Sequence, residues 1–141
     1  MKTTIHEIRK TIINLLSGIT QNGSSVAIYN NVPPSANYPF MKVYSEKESP
    51  IEKNNSAAIT NSIIKIDVVT RFNGPAGGEL DCNQIVSNVC DTLTGASSFT
   101  TTADFNNYVF EIEEVVYFEE NIKDHHYFRG IISISFQTEQ L

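Results

Sequence analysis

Residues 59–72, ITNSIIKIDVVTRF, alternate with a period of two. Ile64, Ile66, Val68 and Phe72 fall on one side of an extended chain, and Lys65, Asp67 and Arg71 on the other. That pattern leaves little room for anything but a long strand with one buried and one wetter face, the mark of antiparallel pairing. Such a sheet has an apolar face to cover, and the rest of the chain must supply the cover.

Two stretches have the period to do so. Ile5, Ile8, Ile12, Leu15, Leu16 and Ile19 recur at steps of three and four, which predicts an amphipathic helix over residues 3–17. Thr3 or Thr4 can cap it, and Gly18 is placed to end it. After the break NGPAGG at 73–78, Glu79 and Asp81 favour a helix start through its dipole. Cys82, Ile85, Val86, Val89, Cys90 and Leu93 then mark the second helix, closed by Gly95. Shorter strands are expected at 25–29 and 39–45, and a final hairpin at 108–120 and 127–138. In its last strand Phe128, Ile132, Ile134 and Phe136 alternate inward, and NIKDHH at 121–126 forms the turn. The expected fold is α+β: one domain over residues 1–141, with a single antiparallel or mixed sheet of about four to five strands and two helices packed on one face. A chain of 141 residues is long enough to bury one such core.

Charge and composition narrow the function. A formal net charge of −6 argues against a general nucleic-acid binder, which needs a basic stripe to displace counterions. No apolar run approaches the ~18 residues of a membrane span, so no membrane role is expected. MKTTIHEIRKTIINLLSG lacks the continuous apolar segment and small-residue cleavage site of a signal peptide. Cys82 and Cys90 on one helix would stand ~12 Å apart along its axis, too far for a disulfide, and read as buried thiols of a reducing compartment.

The chemistry-bearing residues do not assemble into a catalytic set. His125 and His126 follow Asp124, but adjacent residues at a strand start point different ways and rarely share a metal. Glu111 and Glu113 line one strand face at a two-residue step, whereas paired acid and base carboxylates normally come from separate elements around a cleft. GPAGGE has neither the lysine-serine/threonine ending of a P-loop nor dinucleotide-binding spacing. A cysteine nucleophile would need a neighbouring histidine, and both thiols lie on an apolar helix face. No catalytic residue, cofactor or metal is expected.

Two segments carry a different signal. IYNNVPPSANYPF, residues 28–40, places Tyr29, Pro33, Pro34, Tyr38 and Phe40 between two apolar runs. Its prolines forbid a helix and keep it out of a central strand, so it is either a stiff shoulder offering aromatic contact area to a partner or a lid on the chain's own core. Residues 46–58, EKESPIEKNNSAA, are polar and contain a proline, as in a solvated loop or the tip of a long hairpin; Glu46, Lys47, Glu48, Ile51 and Lys53 are its candidate interface residues.

The order of these features resembles the tail-completion, or tail-terminator, proteins of tailed bacteriophages. An N-terminal helix leads to VAIYNNVPPSANYPFMKV, then to the strand IIKIDVVTRFNG, then to a helix near GGELDCNQIVSNVCDTL. The likeness runs over most of residues 5–95, and the final hairpin fits the same architecture. It implies a structural virion protein that assembles in the host cytoplasm into a homo-oligomeric ring, six-fold or twelve-fold, at the head–tail junction. Such a ring ends the tail tube and docks to adjacent tail, neck or portal proteins, while DNA passes without specific binding. Glu111, Glu113, Glu119 and Glu120, with Glu46 and Glu48, are then expected to face the lumen and hold phosphates off. A neck ring or adaptor of a short-tailed phage is equally compatible. A reading from another class is a small intracellular protein-binding domain that uses the acidic sheet face for a basic partner.

Overall fold

The apolar stripe at the N-terminus forms helix α1, Ile5–Leu16, which buries Ile8, Ile12 and Leu16 at a repeat of four. In the computed structural model, which describes residues 5–53, 58–73, 78–95 and 105–140, the chain then turns through a small ribbon. Its strands are β1, Thr20–Gln21, and β2, Ser24–Ser25. The turn between them is Asn22-Gly23, both with positive φ (52° and 80°), the backbone that a two-residue hairpin needs and that Asn-Gly adopts most readily.

The main sheet has five strands in the order β3-β4-β5-β7-β6. They are β3, Ala27–Tyr29; β4, Phe40–Lys53; β5, Ala58–Asn73; β6, Phe105–Ile122; and β7, His125–Gln140. Helix α2, Leu80–Gly95, connects β5 to β6. Every pairing is antiparallel except β3 with β4, so the sheet is mixed. This is the α+β arrangement expected, with both helices on one face of the sheet.

The core lies between the helices and the alternating residues of the central strands. Met41 and Val43, then Ile64, Ile66 and Val68, then Ile132, Ile134 and Phe136 meet Ile12 and Leu16 of α1 and Ile85, Val89 and Leu93 of α2. Full burial of each such aliphatic side chain contributes about 1.5–3 kcal/mol. Helix α1 lies over β3 and β4, whereas α2 lies over β5 and β7. Gly130 of β7 marks the closest approach: a Cβ there would stand 2.7 Å from Val86 Cγ2 and 3.2 Å from Tyr117 Cε1.

The strands run longer than their apolar patterns. Residues 46–53 continue β4 rather than forming a loop, in register with β5 up to Lys53 opposite Ala58. Irregularities between Ser45 and Lys47 and between Pro50 and Glu52 absorb the extra residues. Pro50 is tolerated because β3 pairs with β4 only from Phe40 to Lys42, so beyond that point β4 is an outer strand with no further partner among the described residues. The hairpin tip at 54–57 lies outside the described residues. At the other hairpin the turn shrinks to Lys123-Asp124, and His125 and His126 are already in β7.

Candidate functional site

Because β3 and β4 run parallel side by side, the chain between them must travel back along the sheet, and a tight turn cannot do that. Residues 30–39 make this crossing. Pro33 carbonyl accepts the Ala36 N–H at 3.0 Å, closing a turn with Pro34 at the position where a fixed φ suits it. The Tyr38–Pro39 peptide is cis. The crossing lies on the sheet face opposite the helices. Tyr38 meets Phe40 at a ring-centroid distance of 5.0 Å and Tyr127 of β7 at 5.8 Å, and the Arg71 guanidinium stands 4.4 Å over its ring. Tyr29 meets Phe40 edge-on at 5.8 Å, and Phe40 is buried. The segment packs over the chain's own sheet as a lid, with Phe40 buried and Tyr29 and Tyr38 half-buried, so the two tyrosines keep part of their surface accessible.

Beneath the lid's edge is an open recess of about 290 Å³, lined by Val32, Phe40, Lys42, Asp67 and Arg129 among others. Asp67 is buried and pairs with Arg129 at 3.3 Å, while its Oδ1 finds no hydrogen-bond partner among the described residues. Burial pushes the Asp67 carboxyl above its usual range; Arg129 and then Lys42 pull it down, and Glu120 adds a smaller upward push. Sequence reasoning placed Asp67 on the wetter face, and its burial there comes from the lid and the neighbouring strands.

The polar arm also has tertiary duties. Glu48 Oε1 accepts the Ile5 N–H at 2.8 Å, so a carboxylate from β4 satisfies a donor at the start of α1 and complements its dipole. Glu46 pairs with Lys65 at 3.4 Å, a half-exposed contact worth little by itself. Lys47 is exposed. The side chains of Ile51 and Lys53 lie outside the described residues, although their backbone is in β4.

Among the described residues the distal half of β6 is the most exposed part of the sheet, although Tyr117 still packs beside Gly130. Phe110, Ile112 and Val115 pack against the core, but further on Val116, Tyr117, Phe118 and Ile122 are 37%, 42%, 48% and 51% exposed. The outer edge of β6 from residue 113 to 122 pairs with no other strand among the described residues. Glu111, Glu113, Glu114, Glu119 and Glu120 are all exposed around this strip. An irregularity between Ile112 and Glu114 shifts the register, so Glu111 lies opposite Ser135 and Glu114 opposite Ser133. The acid that shares a face with Glu111 is therefore Glu114 rather than Glu113, a correction to the simple two-residue alternation. Glu111, Glu114 and Glu120 lie on the sheet face away from the helices, and Glu119, opposite Phe128, on the helix side.

His125 and His126, on successive residues of β7, point to opposite faces, with His125 beside Tyr127 at 6.3 Å. Among the described residues no group of three or more His, Cys, Asp or Glu side chains is placed to hold a metal ion. Burial pushes the Cys82 thiol up to about 12, with smaller upward contributions from Glu79 and Asp67, so it is protonated at neutral pH. Cys90 is half-buried and also raised by burial. Among the described residues no helix is long and apolar enough to cross a membrane. Compared with known proteins, the chain matches no family model and no curated sequence.

Proposed function

We propose that the protein is a structural ring subunit of a tailed-phage particle, a tail-terminator-like component of the head–tail junction. The observation that carries this reading is the distal half of β6: an unpaired sheet edge with exposed Val116, Tyr117, Phe118 and Ile122 amid acidic residues. Open strand edges invite pairing with other chains, and natural proteins leave long apolar ones uncovered chiefly where a partner covers them. The resemblance over residues 5–95 supplies the particular setting, and the α+β fold agrees with it. In this reading the acids on the open side of β6, Glu111, Glu114 and Glu120, line the channel and repel DNA phosphates over a Debye length of roughly 8–10 Å.

The test is the native mass of the full chain across a wide concentration range, with negative-stain imaging of any large species and of purified tail tubes mixed with it. Discrete rings that seat on tube ends are expected. A protein that neither closes into rings nor caps tubes is not a tail terminator.

A further inference from the structure

The two ends of the sheet are unlike, and their differences are complementary. At one end α1 turns a second stripe outward, past the short strand β3: His6, Arg9, Lys10 and Ile13 recur at helical spacing and, with Asn30, line an open groove of about 260 Å³. Arg9 donates from Nη2 to Asn30 Oδ1, and its Nε is buried without a partner among the described residues. Glu7, 3.4 Å from His6, and Glu48, which accepts the Ile5 N–H, are acidic residues beside this stripe. At the other end α2 stops over β7, and the distal half of β6 projects as a ledge. Its helix side presents Tyr117 and Glu119, with Glu113 at the register shift, and Lys123 is the basic residue nearby, in the turn.

Building on the ring reading above, we infer that the β6 ledge of one copy receives the outward stripe of α1 of a second copy, head to tail. The occupant follows from charge. Two β6 edges brought together about a two-fold axis would set acidic strands against each other, and like charges directly opposed are destabilising. The α1 stripe offers Arg9 and Lys10 to Glu113 and Glu119, and Ile13 to the ring of Tyr117. The layers also match, because α1 and the uncovered side of the ledge lie on the same face of the sheet. Four strand spacings, about 19 Å, separate β3 from β6, so neither surface obstructs the other within one subunit. A contact between opposite ends of a subunit is heterologous; it repeats from copy to copy and closes when the rotation allows.

Charge exchange in the full chain tests this. Glu113→Lys/Glu119→Lys and His6→Glu/Lys10→Glu change exposed positions, and far-UV circular dichroism with urea unfolding controls for folding. Sedimentation velocity should show each double variant needing about tenfold or more protein to assemble, because like charges then face each other. In an equimolar mixture each kind of copy complements the other at both ends, so alternating rings with an even number of subunits are restored, and the quadruple variant restores rings by itself. Rings that form in both double variants at the wild-type concentration overturn the contact while leaving the ring reading intact. A wild-type protein that forms only closed dimers, strengthened by the β6 exchange, assigns the ledge to a two-fold contact and overturns the inference. A wild type that stays monomeric throughout overturns the contact too, and leaves ring formation on a tail template to be judged from the tube-capping images.

Discussion

Gly130 is where a single atom decides the packing. It lies under α2, and an added Cβ would sit 2.7 Å from Val86 and 3.5 Å from Cys82 Sγ, both on the helix that covers β7. Gly130→Ala is expected to destabilise the fold by about 1–3 kcal/mol, the usual cost of overpacking, read as a lower urea midpoint. Asp67 is the other residue with a measurable signature. Its folded-state pKa is raised by burial, so the folded protein holds that proton more tightly than the unfolded chain does. Asp67 therefore makes stability fall as pH rises from the ordinary aspartate range through the raised value, the opposite of a salt-bridged surface carboxylate. Asp67→Asn removes that downward step, and urea unfolding of both proteins from pH 3 to pH 7, about the range in which carboxylates titrate, measures the difference. Coincident pH profiles would show that Asp67 is as well solvated folded as unfolded.

At the scale of elements, α1 depends on β4 more than its own sequence suggests. The Glu48 carboxylate bonds the Ile5 N–H from a strand 43 positions further along the chain. Glu48→Ala should cost about 1 kcal/mol, comparable to losing a helix cap, and amide exchange should speed up in the first turn of α1 before it does in α2. Equal acceleration in both helices would mean that the contact stabilises only the domain as a whole. The helices and the central strands were legible as periodicity in Ile8, Ile12 and Leu16 and in Ile64, Ile66 and Val68. The Asn22-Gly23 turn carries a strong hairpin signal, but no hairpin was expected there, only a strand at 25–29. The extension of β4 through residues 46–53 was legible only as one of two alternatives, a solvated loop or the tip of a long hairpin, because polar residues with a proline fit both until the length of the partner strand β5 is known.

For the whole molecule, the consequence is a subunit with two dissimilar ends, one acidic and apolar, the other basic. If these ends meet, added salt weakens assembly: raising NaCl from about 0.05 M to 0.5 M shortens the Debye length several-fold and should raise the assembly midpoint concentration several-fold. Light scattering against protein concentration at the two salt levels gives the shift. A midpoint that falls with salt would assign the contact to apolar burial alone, through Ile13 and Tyr117, and would separate it from the acids around them.

By itself the sequence determined the class of fold, two helices over one face of a long-stranded sheet, because periods of 3.6 and 2 are local properties written in successive side chains. It also marked residues 28–40 as a stiff connector, because prolines restrict the backbone wherever they stand. Only the tertiary structure decided whether that segment reached outward or closed over its own sheet. That depended on Tyr127 and Arg71, which are distant in sequence and come within contact of Tyr38 only when β5 and β7 pair. The same holds for the acidic strand. Its exposure follows from strand order, which leaves β6 outermost and beyond α2, and strand order is a property of the assembled sheet that no local pattern encodes.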